Sequence, residues 1–367
     1  MSALRARVLA VAAWCLPLLL AACATRPSQQ ETRLPPAQIR AEILRRLPVD
    51  APDRSGWAID IQTAFSTQRI EPNPENICAV LAVIAQESGF HADPGVPDLP
   101  GIARKEIDRR AAVHHIPEFV VGAALQIHSP DGRSYSDRLR HARTERELSG
   151  IYEDLIASVP LGKRLFADFN PVQTGGPMQV NIVFAEENAG DYPYPVASSI
   201  RDEVFTRRGG VYFGIMRLLD YETPYARKVY RFADYNAGRY SSRNAAFQNA
   251  VSIVTGIPLA RDGDLLKPDA PLERSGETER ALRTMANNLG MDARSIRKAL
   301  ERSDRLDFDD TPLYAHTYAL ADARAGKPLP RAMIPSIRLD SPKITRKLTT
   351  AWFAERVDAR YQRCMRQ

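Results

Sequence analysis

"NPENICAVLAVIAQESGF" runs from Asn73 to Phe90. Asn73 is an N-cap residue type, and Pro74 suits the first helical position, where a missing N–H costs nothing. The body is apolar on nearly every side, which predicts a central helix rather than a surface one. Gly89 predicts its end. Glu87 then falls at the C-terminal end of that helix, where the macrodipole is negative and the neighbours are apolar. Both conditions disfavour an ionised carboxyl group. A carboxyl that keeps its proton near neutrality can donate it in general acid catalysis. The alternative is a surface glutamate at a frayed helix end.

Outward from this segment the pattern stays helical. "TPYARKVYRFADYNAG" repeats the grammar, with Thr223, Pro224 and a closing Gly238. "ETERALRTMANNLG" and "DARSIRKALERSD" read as a helical pair, and "SPKITRKLTTAWFAERVDARYQRC" as a long terminal helix starting at Ser341 and Pro342. Few runs alternate with the period of a strand, and no internal repeat is visible. The fold class expected is all-α.

The first residues read as an address. Arg5 and Arg7 precede an apolar run, Val8 to Leu20, too short for a comfortable membrane span. "LAAC" follows and resembles the bacterial lipoprotein signal, with Ala21 and Ala22 before Cys23. The resemblance implies lipidation of Cys23, and Ala24 in place of aspartate implies the outer membrane, facing the periplasm. Residues 24–36 are polar and proline-containing, as in a tether. Composition (44% hydrophobic, 26% charged, net charge +6) suits a globular body with an anionic partner. No basic run is interleaved with aromatics, so nucleic acid is not expected. Cys78 and Cys364 remain in an oxidising compartment, either as two buried thiols or as a disulfide.

Three short stretches carry chemistry: "QESGF" (Gln86–Phe90), "GPMQVN" (Gly176–Asn181) and "YNAG" (Tyr235–Gly238). Each alone is a weak signal, and in this order they are strong. Together with "RRGGVYFGIMRLLDY" (Arg207–Tyr221) they resemble the lysozyme-like lytic transglycosylases, discontinuously over about residues 77–238. The resemblance implies a lysozyme-like catalytic domain that cleaves MurNAc–GlcNAc bonds of peptidoglycan without water. Glu87 would protonate the leaving oxygen, then accept a proton from the sugar's own 6-hydroxyl as a 1,6-anhydro ring closes. Glycan strands are the expected partner, alongside the membrane reached through the lipid. No cofactor or metal is required.

Residue types suggest the remaining roles. Gly175 and Gly176 would let the backbone approach a sugar. Met178 would offer a soft surface to a sugar face, and Gln179 a donor and an acceptor. Ser88 would hold an acetamido group, Tyr235 would bond near Glu87 or stack on a ring, and Asn236 would anchor the glycan. Core packing is the alternative for Met178 and Tyr235.

Two features depart from the family. A long helical stretch separates Glu87 from Gly176, and Pro177 stands where leucine is usual. The expected organisation is a signal peptide (1–22), a tether (23–55), a catalytic domain (56–260) with a helical insertion over about 97–170, and a C-terminal helical extension (261–367). A water-using muramidase on the same fold, and a non-catalytic cell-wall-binding lipoprotein, are the alternatives. Asp93 and Asp98 read as turn residues, adjacent His114 and His115 as non-ligating histidines, and "DFDD" (Asp307–Asp310) as a helix cap rather than a calcium loop.

Overall fold

The computed structural model describes residues 34–158, 170–267, 269–339 and 347–367. The expectation for Cys23 lies outside the described residues. The body is formed by Arg40–Gln367, and residues up to Ile39 lie in a separate unit. The architecture is helical. In chain order the helices are α1 (Pro36–Arg46), α2 (Arg54–Thr67), α3 (Pro74–Glu87), α4 (Leu99–Val113), α5 (Glu118–Gln126), α6 (Tyr135–His141), α7 (Glu145–Ser158), α8 (Ile182–Glu187), α9 (Ile200–Val204), α10 (Arg207–Leu219), α11 (Lys228–Ala237), α12 (Ser241–Thr255), α13 (Glu277–Arg283), α14 (Ala286–Leu289), α15 (Ala293–Leu300), α16 (Pro312–Ala325) and α17 (Thr350–Met365). Two-residue strands β1 (Thr174–Gly175) and β2 (Val180–Asn181) pair antiparallel, as do β3 (Arg338–Leu339) and β4 (Leu348–Thr349).

Helix α3 sits at the centre because its sequence leaves it no polar face. Every residue from Ile77 to Ile84 is buried. The Asn73 side chain accepts the Asn76 N–H at 2.8 Å and starts the helix. At the other end Gly89 takes φ 57° and its N–H returns to the Ile84 carbonyl. Glycine enters this left-handed conformation without the Cβ penalty, so the chain turns sharply there. Phe90 follows at φ 65° and packs edge-on against Trp57 of α2, ring centroids 5.5 Å apart.

The C-terminal region is not a separate extension. Helix α17 packs on α3 and α11. Cys364 on α17 is joined to Cys78 on α3 by a disulfide with Cα atoms 5.5 Å apart. The Arg46 guanidinium donates to the Cys364 carbonyl at 3.0 Å and lies 3.7 Å from the Cys78 sulfur, with Glu42 as its ion-pair partner. Arg46, Ile43 and Leu47 are buried, so the tether expected over 23–55 does not reach residue 55. Helix α17 starts at Thr350, capped by the Thr349 hydroxyl; Ser341 and Pro342, where the start was expected, lie outside the described residues. Similarly α11 starts at Lys228 rather than after Thr223, whose hydroxyl instead accepts from Arg231.

Helices α13–α16 close over α12 around Phe247, Leu282, Ile296, Leu300, Phe308 and Tyr314. Arg243 of α12 is fully buried, donating to the Ser303 and Arg305 carbonyls and pairing with Asp309 at 3.0 Å. A boundary at residue 260 therefore cuts through a shared core. Asp307 pairs with Arg302 and Arg305, while Thr311 caps α16, so the helix cap is the threonine rather than "DFDD".

Helices α4–α7 occupy the stretch expected as an insertion. A bridge between Gly95 and Thr144, and the Val96 N–H to the Arg143 carbonyl at 2.9 Å, tie its ends together. Asp98 takes a left-handed turn at φ 51° before α4, and His114 and His115 are exposed.

Candidate functional site

The "GPMQ" turn is the hub. Strands β1 and β2 pair Gly175 with Val180, and the Gln179 N–H closes the turn on the Gly176 carbonyl at 3.1 Å. Gly176 and Gln179 both have positive φ, 72° and 50°. The two glycines serve internal packing rather than a sugar. A Cβ on Gly175 would overlap the Phe205 ring, and one on Gly176 the Val204 carbonyl oxygen. The opposing helix reciprocates. Pro177 sits where a Cβ on Gly210 would be, and Met178 fills the space at Gly214. Pro177 thus locks the turn to α10. Met178 is fully buried, so the sugar-facing role expected for it is corrected to core packing.

Two motifs meet at that turn. The hydroxyl of Tyr235, itself buried on α11, donates to the Met178 carbonyl at 2.6 Å. Burial pushes the Tyr235 phenol well above its ordinary range, and the charge of Glu87 adds to that push while Arg217 opposes it. Glu87 is half-buried at the end of α3 and lies within the electrostatic reach of Tyr235. The "GPMQVN" and "YNAG" stretches, far apart in sequence, therefore meet directly, and Glu87 of "QESGF" lies within electrostatic reach of Tyr235.

The other expected site residues have internal partners as well. Ser88 donates to the Ile84 carbonyl of its own helix at 3.2 Å. The Asn236 amide oxygen accepts the Thr350 hydroxyl at 2.8 Å, which ties the "YNAG" turn to the start of α17. The Gln179 amide oxygen accepts from Thr174 at 3.2 Å, and its nitrogen donates to Glu145 Oε2 at 2.9 Å. These bonds orient the amides and leave further donor and acceptor capacity on each.

Glu145 was not legible as a site residue. It comes from the insertion, is only 4% exposed, and stands at the first position of α7. A local signal does mark that position: Thr144 and Glu147 form a capping box, the Thr144 hydroxyl accepting the Glu147 N–H and the Glu147 carboxylate accepting the Thr144 N–H. Asp93 lies beside the same helix start, and burial pushes its carboxyl up despite a hydrogen bond with Thr144.

Asp234, next to Tyr235, is a buried acid of another kind. It accepts the Tyr225 hydroxyl (2.6 Å) and the backbone N–H groups of Tyr240 (3.1 Å) and Ser242 (2.6 Å), capping the entry to α12. Burial raises its carboxyl to about 6, with those hydrogen bonds acting against the rise. Among the described residues no cluster of His, Cys, Asp and Glu has the arrangement of a metal site.

Comparison with known proteins gives the family of the chain. A family model described as "Protein of unknown function (DUF1615)" matches residues 50–367. The chain belongs to the DUF1615 family. It is 52% identical over 351 residues to "Uncharacterized protein YaiW" of Escherichia coli (strain K12), which covers 95% of this chain and 96% of that protein. No solved structure matches the chain. The family match begins close to α2 and takes in α4–α7 and α17.

Proposed function

We propose that this DUF1615 protein is a peptidoglycan lytic transglycosylase with a lysozyme-like catalytic centre, anchored through Cys23 to the outer membrane and facing the periplasm. The observation that carries the reading is the convergence of Glu87, the "GPMQ" turn and Tyr235, joined by the hydroxyl bond to the Met178 carbonyl. Glu87 donates a proton to the glycosidic oxygen as the bond to the muramyl C1 breaks, which leaves an oxocarbenium-like centre and a carboxylate. That carboxylate takes the proton of the sugar's 6-hydroxyl, whose oxygen closes on C1. No water enters, and Glu87 ends protonated as it began. Tyr235 and the backbone of the turn hold the floor on which the sugar sits. Glu87→Gln keeps the shape and removes the transferable proton, so solubilisation of purified sacculi is expected to fall by about 10²–10⁴-fold. Near-wild-type activity would overturn the assignment.

One observation favours a second reading. Hydrolysis needs a group to activate water, usually a second carboxylate. Glu145 brings a buried carboxylate to Gln179 of the same turn. A muramidase of this design would leave reducing ends where the transglycosylase leaves anhydro ends.

A further inference from the structure

Most buried or half-buried arginines in this body have an evident employment. Arg207 pairs with Asp53 and Asp60, Arg208 with Glu203, and Arg243 with Asp309. Arg231 donates to the Leu218 and Tyr221 carbonyls at 2.7 and 3.0 Å. Arg217 and Arg239 differ. Each makes only a long contact to a carbonyl, Arg217 Nε to Tyr235 at 3.4 Å and Arg239 Nη2 to Met216 at 3.4 Å. Among the described residues neither has a carboxylate within ion-pair distance, and the Arg239 Nε is buried without a hydrogen-bond partner.

Their placement is specific. Both guanidinium groups lie over the ring of Phe184, 5.8 and 5.7 Å from its centroid. Arg217 also lies 5.9 Å from the Tyr235 ring, and Arg239 4.9 Å from that of Tyr221. Phe184 follows the "GPMQVN" turn on α8, Arg217 stands on α10, and Arg239 directly follows "YNAG". Three segments that build the candidate site thus each contribute one member. Two like charges on one ring repel each other. Stacking on aromatics offsets part of that cost and fixes the planes of the forks, which keeps their remaining N–H groups in position for a planar anion.

We propose that Arg217 and Arg239, aligned on Phe184, form a subsite for a carboxylate of the substrate. Guanidinium forks match carboxylate geometry in paired, charge-assisted hydrogen bonds. Resting on the function proposed above, the ligand is a carboxylate carried by the muramyl residue, either on its peptide stem or on the lactyl group once the stem is removed. The subsite would make the enzyme read what hangs from the strand as well as the strand itself.

Calorimetric titration tests this with five probes: a disaccharide carrying an acidic peptide stem, the same compound with its carboxyls amidated, the free acidic stem peptide, its amidated form, and strands stripped of stems by an amidase. Wild-type protein is expected to bind the acidic disaccharide at least about tenfold more tightly than the amidated one, and R217Q/R239Q is expected to lose that preference. If stripped strands show the same arginine dependence, the lactyl carboxylate is the ligand; if only stem-bearing probes do, it is the stem's. Equal binding of acid and amide by wild type, with stripped strands bound equally by wild type and R217Q/R239Q, overturns the subsite, as does an acid preference that survives in R217Q/R239Q. Should no sugar-bearing probe bind, the glycan reading fails by itself, and the free peptide still decides: no acid-over-amide preference there overturns the subsite too. If R217Q/R239Q does not fold, R217K/R239K keeps the charge and loses the fork, with a reduced preference expected.

Discussion

The end of α3 and the turn at Gly176–Gln179 lie in one site but are held by different means. Glu87 is placed by the frame. Its helix is buried from Ile77 to Ile84, stapled to α17 by the Cys78–Cys364 bond, and closed by Gly89. Gln179 is placed by fit and by reach. Reciprocal glycines press its turn onto α10, and the amide is held by Glu145, 34 positions away in the insertion. The contrast separates what makes the body stable from what tunes the site. Damage to the frame should appear first as lost stability, and damage to the reach first as lost activity.

The largest stability effect is expected at the staple. The disulfide spans 286 positions. The loop-entropy model assigns so long a closure up to about 5 kcal/mol, and measured values are often smaller. Cys364→Ser should therefore lower the denaturation midpoint strongly, and thiol labelling of the denatured, unreduced wild type should find neither Cys78 nor Cys364 free. Both thiols reacting fully would remove the staple from the account.

Asp234 sharpens the frame side through pH. Its carboxyl, at about 6 when folded, lies above the ordinary value of 3.8. The folded state then holds the proton more tightly than the unfolded chain does. The associated stability is present below about pH 4 and is lost as pH rises through about 6. The difference corresponds to ~3 kcal/mol at about 1.4 kcal/mol per unit. Asp234→Asn cannot titrate, so subtracting its unfolding profile from that of wild type should isolate a downward slope between these limits. Parallel profiles would contradict the burial described for this acid.

How much of this was legible follows the same division. Signals written within a few residues were readable: the Asn73 cap, Pro74, Gly89 and the helical class. So were the three motif stretches, because residue type and order carry them. Side-chain partners across long separations leave no such mark. Met178 was read as a soft surface for a sugar face, with core packing the alternative, and packing holds: it is buried and fills the space at Gly214. Thr349 caps α17, and several hydroxyl residues precede that helix, so sequence alone does not single out its cap. Glu145 could be placed on a helix start by its capping box, but not beside Gln179.

The smallest stability effect, about 1 kcal/mol, is expected for Glu145→Gln, which keeps an acceptor oxygen for Gln179 while removing the charge. Its activity readout is more telling. Under the transglycosylase reading the variant retains the wild-type product and changes turnover modestly. Under the muramidase reading it loses turnover with Glu87 intact.

The most direct measurement is mass spectrometry of muropeptides released from purified sacculi by the mature protein and by Glu87→Gln. The account predicts 1,6-anhydro ends from wild type and almost none from the variant. Reducing ends from wild type, or anhydro products undiminished in Glu87→Gln, would contradict it.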